Sequence, residues 1–180
     1  MISLTFVFYL FVILLAVIGA MRGWAKELLV VFSVILAMFI ILVFESYVVV
    51  YQNLLQNSPA TTWFWSRTLI VLLLAFFGYQ TPAIKPFQAA ARREKVRDAV
   101  LGGVVGGLNG WLVIGSIWWF LDKAGYENFP TIVVPPVEGT ELAERVADLI
   151  ARMPPEYLMQ APQIYIAIAV AFTFVVIVYI

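Results

Sequence analysis

The sequence contains no cysteine and no histidine, and only 12% of its 180 residues are charged. Without cysteine the chain can form no disulfide or thiolate nucleophile, and without histidine it has no imidazole base and no Cys/His metal site. Eleven basic residues balance eleven acidic ones, so no net charge favours nucleic acid or a cationic substrate. These absences predict a protein that is not an enzyme and uses no cofactor, metal or nucleic acid.

Apolar residues make up 63% of the chain, whereas soluble domains contain roughly 45 to 50%. Crossing a bilayer takes about 17 to 25 apolar residues in a helix. Four uncharged runs have that length, and they are residues 1–21, 28–44, 68–84 and 99–121. We therefore predict an all-α polytopic membrane bundle, with a four-helix membrane domain over residues 1–121 and the lipid bilayer as its main partner.

Basic residues in the short loops indicate the orientation, because such residues are biased to the cytoplasm. The loops after the first and third runs hold most of them, namely Arg22, Lys26, Lys85, Arg92, Arg93, Lys95 and Arg97. This places the N-terminus outside, with Trp24 marking the inner interface. Residues 46–66 lack charge but contain four amide side chains, which would be unpaired in hydrocarbon. They are predicted to form an external loop.

The segment 122–163 is predicted to be extracytoplasmic and to contain one short amphipathic helix. Its apolar residues recur at helical spacing, and Thr140 is a suitable N-cap; these apolar residues are Leu142, Val146, Leu149, Ile150 and Met153. The helix either lies on the membrane or bundle surface or binds a partner. The apolar tail over residues 164–180 is a possible fifth transmembrane helix.

Glycines repeat along the fourth run at a spacing of four residues, at Gly102, Gly106 and Gly110. Such a stripe lets another helix backbone approach closely. It can serve packing within the chain or a homo-oligomeric seam, and the sequence leaves both open.

Asn109 is the best polar candidate inside a span, because a carboxamide at bilayer depth needs a partner. It either makes an interhelical hydrogen bond or lines a conduction path. No Asp, Glu, Lys or Arg lies inside the four runs, which argues against a self-contained proton relay but leaves open a passive pore formed by several copies.

Two segments resemble the colicin V production (CvpA) family of bacterial inner-membrane proteins. One is the hairpin at residues 21–28, with Arg22, Gly23, Trp24 and Glu27; the other opens the fourth helix, with Asp98, Gly102, Gly106 and Gly110, and ends at Asp122. The chain departs from the family at two positions. Ala99 stands where arginine is usual, and Asn109 stands where some members have arginine.

The resemblance implies a multi-pass protein of the bacterial inner membrane that acts as a scaffold or accessory factor. Its role would be in toxin production or export, or more broadly in envelope function, with a membrane export partner or a second copy as possible partners. The alternative is a small oligomeric pore or transporter lined by the fourth helix. We also expect Arg22 and Glu27 to meet Arg97 and Asp98, so that these charges clamp the two cytoplasmic hairpins together.

Overall fold

A computed structural model describes residues 3–80, 95–130, 137 and 139–179, and over these residues the regular structure is helical, with no strand. The helices, in chain order, are α1 (Leu4–Arg22), α2 (Trp24–Tyr47), α3 (Val49–Gln56), α4 (Ala60–Tyr79), α5 (Lys95–Ala124), a 3-10 turn (Tyr126–Asn128), α6 (Glu141–Ile150), α7 (Pro154–Leu158) and α8 (Gln163–Tyr179). The prediction of an all-α fold is confirmed.

Four of these helices, α1, α2, α4 and α5, are long and apolar enough to cross a membrane. They correspond to the four predicted runs, but each of α2, α4 and α5 begins before its run. Because the runs were bounded by charged residues, which a helix readily contains, they underestimate the helices. Residues 81–84, at the end of the third run, and residues 85–94, which include Lys85, Arg92 and Arg93, lie outside the described part of the chain.

The prediction of an external loop over residues 46–66 is wrong for the backbone, which is largely helical there. Residues Val49–Gln56 form α3, and α4 already begins at Ala60. The amides are compatible with a helix because they bond to nearby carbonyl groups: Gln52 Nε2 donates to Glu45 O at 2.8 Å, and Asn57 Nδ2 donates to Asn53 O at 2.8 Å.

The described chain divides into two compact units. The first contains residues 3–34, 72–80 and 95–114, and thus α1, the start of α2, the end of α4 and most of α5. Its buried apolar side chains come chiefly from α2 and α5, and they include Val30, Val34, Leu112 and Val113. This unit holds most of the candidate site residues.

The second unit contains residues 35–71, 115–130, 137 and 139–179. Buried aromatic residues join its parts, as where the rings of Phe64 and Phe129 meet edge to face at 5.0 Å. The predicted amphipathic helix is present as α6, with Val146 and Ile150 buried, and Thr140 Oγ1 caps it by accepting from Ala143 N at 3.3 Å.

The apolar tail forms a helix of 17 residues, α8, which is shorter than the four candidate spans. A fifth crossing by this helix stays a prediction, as does the functional division at residues 121 and 163.

Candidate functional site

A single residue, Gly23, connects α1 to α2. It has φ of 88°, in the region that favours glycine, and its N–H donates to Gly19 O at 2.9 Å. A Cβ atom at this position would lie only 2.6 Å from Oδ2 of Asp98. The backbone conformation therefore favours glycine here, and any side chain would also have to displace the Asp98 carboxylate.

The contact with Gly23 places the Asp98 carboxylate beside the residue that precedes α2. The first backbone N–H groups of a helix lack acceptors within the helix, and its N-terminus carries a partial positive charge. A carboxylate beside that end is stabilising. Asp98, itself in the first turn of α5, thus supports the start of a second helix.

Glu27 forms an ion pair with Arg22 although its side chain is completely buried. Arg22 Nη1 lies 2.5 Å from Glu27 Oε1, and the two relative exposures are 21% and 0%. The guanidinium also donates from Nη2 to Tyr79 O at 2.9 Å and lies 4.5 Å from the centre of the Tyr79 ring. Arg22 therefore joins the end of α1 to the start of α2 and the end of α4.

Asn109, which is fully buried near the middle of α5, completes this polar cluster. Its Nδ2 donates to the Glu27 carboxylate at 2.8 Å (Oε2) and to the Glu27 carbonyl oxygen at 3.0 Å. Asn109 was predicted either to make an interhelical hydrogen bond or to line a conduction path. In the structure it makes the interhelical hydrogen bond. We name Arg22, Glu27, Tyr79 and Asn109 the Glu27 cluster.

The glycines of α5 pack against α1 of the same chain. A Cβ atom at Gly106 would lie 2.9 Å from Gly19 Cα, and one at Gly110 would lie 2.7 Å from Val12 Cα. Gly102 is equally close, because its Cβ would lie 3.0 Å from Gly23 Cα. The stripe is therefore filled from within the chain, which is the first of its two predicted uses.

Two residues of this site were not predicted from the sequence, Gly19 and Tyr79. Gly19 lies four residues before Gly23, and this small-residue spacing could have indicated a packing face on α1. Tyr79 acts partly through its backbone carbonyl, for which a sequence gives no signal.

The remaining motif residues have different surroundings. Trp24 is partly buried at the first position of α2, and Arg97 is exposed in the first turn of α5. The first unit brings together Arg22, Gly23, Glu27, Asp98 and Asn109, whereas the participation of Arg97 in a clamp stays a prediction.

Asp122 belongs to the second unit, in the last turn of α5, close to Tyr126. Burial raises the pKa of Tyr126 to about 12, the hydrogen bond from Trp118 Nε1 (3.1 Å) opposes this increase, and the charge of Asp122 adds to it. The phenol therefore keeps its proton well above the ordinary titration range of tyrosine.

A second ion pair lies within the helices of two candidate spans, at residues directly outside the predicted runs, which themselves contain no Asp, Glu, Lys or Arg. Arg67 of α4 binds Glu45 of α2 through two parallel contacts, Nε to Oε1 at 2.6 Å and Nη2 to Oε2 at 2.9 Å. Its guanidinium also lies 4.4 Å from the centre of the Trp63 ring. Bidentate pairing and cation–π contact are how arginine is commonly accommodated away from water.

These arrangements join helices to one another. The two carboxylates of these ion pairs, Glu27 and Glu45, each have an arginine within hydrogen-bond distance, so they serve as acceptors of structural bonds. Such pairing reduces the high cost of placing a charge within a membrane.

Four candidate spans with internally paired charges define a polytopic α-helical membrane protein. The Colicin V production protein family matches residues 4–140, most of the chain. The chain therefore belongs to the Colicin V production protein family. No curated protein and no solved structure matches it.

Proposed function

We propose that the chain is a non-enzymatic scaffold or accessory factor of the bacterial inner membrane, acting in toxin production or export or in a related envelope function. The observation that carries this proposal is the Glu27 cluster. Its charged and polar groups bind one another across α1, α2, α4 and α5. Residues of the family motif thus maintain a helix arrangement, which is what a scaffold requires of them.

The alternative, a pore lined by Asn109, has less support. Asn109 is fully buried, and its Nδ2 is bonded to Glu27. To face a conduction path it would have to leave a buried carboxylate without this donor, which is costly. The glycines Gly102, Gly106 and Gly110 are likewise covered by α1 or by the turn that follows it.

If the protein assembles with a second copy or an export partner, another surface must therefore be used. The outer face of α1 is suitable, since Phe6, Leu10, Ile13 and Val17 are between 50% and 62% exposed. We retain the orientation with the N-terminus outside, which the basic loops support.

The test is toxin secretion by a colicin V-producing bacterium that lacks its own family member. Introduction of the full chain should restore toxin activity in the medium, and Asn109→Leu should lower this activity in proportion to the amount of folded protein in the membrane. Purified protein in liposomes should release no more trapped solute than empty liposomes do. Solute release by the wild-type protein that Asn109→Leu abolishes would overturn the scaffold proposal in favour of the pore.

A further inference from the structure

A groove of about 630 Å³ opens on the side of the second unit, between the end of α2 and α3. We call it the lateral groove. Its apolar lining consists of Phe44, Val48, Val50 and Leu54, and its polar lining includes the amides of Asn53 and Asn57. None of the residues that line it is charged.

The helices that line the lateral groove are held by hydrogen bonds within the chain. Gln52 Nε2 attaches α3 to the end of α2, and Trp63 Nε1 attaches it to α4 by donating to Leu55 O at 3.2 Å. Tyr51 donates to Ser66 Oγ at 3.1 Å, and Leu55 is buried. These contacts fix the position of α3 against α2 and α4, and with it the lining of the groove.

Aromatic residues of the same unit indicate the membrane level of the groove. Tyr47, Trp63 and Trp65 are 69%, 37% and 56% exposed, and exposed Trp and Tyr are enriched where the membrane meets water. Near them, Val50 of α3 is 80% exposed and Leu54 is 56% exposed. At this level apolar acyl chains give way to the polar ester groups of the lipids, and the groove presents both apolar side chains and amides.

We propose that the lateral groove binds one phospholipid from the surrounding bilayer. Its acyl chain contacts the apolar lining residues, of which Phe44 belongs to the candidate spanning helix α2, and its ester carbonyls accept hydrogen bonds from the Asn53 amide. The uncharged lining gives no attraction to an anionic headgroup. Binding therefore depends on the acyl chain and the ester region, with zwitterionic and anionic phospholipids bound about equally.

Native mass spectrometry of the full chain tests this site, with phosphatidylethanolamine and phosphatidylglycerol as the probes. Leu54→Trp fills the groove, and Leu69→Trp adds the same bulk at a residue of α4 that is 65% exposed and does not line it. Loss of contact with only two acyl methylene groups corresponds to about tenfold in affinity. We expect Leu54→Trp to lower the affinity for both lipids about tenfold relative to Leu69→Trp.

Equal lipid binding by the two variants would overturn the proposal. So would binding of phosphatidylglycerol alone, which would indicate a charged site elsewhere. A dimer of the wild-type protein that Leu54→Trp dissociates would assign the groove to a second copy.

A second groove variant tests whether Leu54→Trp loses lipid only because it misfolds. Val50→Trp also fills the groove, and its wild-type side chain packs even less against the protein. The proposal requires that both groove variants lose lipid. It also requires that neither changes the unfolding temperature, relative to the wild-type protein, by more than Leu69→Trp does. Lipid loss that accompanies a lower unfolding temperature in both variants would contradict a specific site.

Discussion

The side-chain nitrogen of Asn109 donates to two oxygen atoms of Glu27, one in its carboxylate and one in its backbone carbonyl. Because Glu27 lies in the first turn of α2 and Asn109 near the middle of α5, this contact fixes the position of one helix along the other. Because one acceptor is the backbone carbonyl of Glu27, the contact depends on how α5 is positioned along α2 as well as on the two side chains.

Replacement of Asn109 by leucine should destabilise the protein by about 1–3 kcal/mol, because it leaves buried acceptors of Glu27 without a donor. The control is Leu108→Ala, at a neighbouring residue that is 40% exposed, where little packing is lost. Reversible unfolding in mixed micelles measures both. If Asn109→Leu costs no more than Leu108→Ala, the hydrogen bonds contribute nothing to stability.

The ion pair between Arg22 and Glu27 can be tested by exchange of its charges. Glu27→Arg should prevent accumulation of folded protein, since it places two guanidinium groups together in a buried site. The double variant Arg22→Glu with Glu27→Arg should recover part of the loss. The membrane fraction is dissolved in detergent, and the amount of folded protein is measured as the part that elutes as a monodisperse peak.

The same experiment tests the participation of Arg97 in the clamp. Glu27→Arg combined with Arg97→Glu should recover less folded protein than the exchange with Arg22, since Arg97 is exposed whereas Glu27 is buried. Greater recovery through Arg97 would make it, rather than Arg22, the main partner of Glu27.

The close approach of α1 and α5 predicts opposite outcomes at adjacent glycines. Gly106→Ala should cost about 1–3 kcal/mol, because its Cβ would lie 2.9 Å from Gly19 Cα and the backbones would have to separate. Gly107→Ala should be neutral or slightly stabilising, because the nearest atom would be 3.6 Å away and alanine favours a helix. Thermal unfolding of the two variants side by side is the measurement, and equal losses would contradict the packing described.

Gly23 offers a comparison with another glycine of positive φ. Gly139 has φ of 78° and no atom within 4 Å of a Cβ, so Gly139→Ala reports backbone strain alone, about 1–3 kcal/mol. Gly23→Ala should lower the unfolding temperature further, because it adds the clash with Asp98. The double variant Gly23→Ala with Asp98→Ala should lose this further decrease in unfolding temperature. If the effects of the two substitutions simply add, the clash with Asp98 does not cause the decrease.

The raised pKa of Tyr126 predicts a loss of stability in alkali. In the unfolded chain the phenol loses its proton near pH 10, whereas in the folded protein it keeps the proton until about pH 12. Between these values the folded state binds more protons, so stability falls as the pH rises. Tyr126→Phe should reduce this fall, as measured by unfolding at pH 9 to 11, and should remove a component titrating near pH 12 from the tyrosinate absorbance.

The four spans and the two motif segments could be predicted because they depend on local sequence. Apolar length determines whether a helix can cross a bilayer, and the spacing of Gly102, Gly106 and Gly110 marks a face that accepts another helix. The partner of that face could not be predicted, since Gly19 and Val12 on α1 become neighbours only in the folded chain.

The charged residues inside the spans were missed for a physical reason. Predicted runs end at charges because an isolated charge is costly in hydrocarbon, but Glu27 and Arg67 each have a partner that offsets this cost. In the same way, the amides of α3 indicated a loop, whereas Gln52 bonds to the end of α2.

The one-residue turn at Gly23 has a consequence for biogenesis. A link this short cannot extend far from the membrane between two helices, so α1 and α2 should enter the bilayer together as a hairpin. Arg22 and Glu27 belong to that hairpin, which brings the carboxylate into the membrane with its counter-charge already present. Asn109 is synthesised 82 residues after Glu27. It should therefore join the site only after Arg22 has already paired with the Glu27 carboxylate.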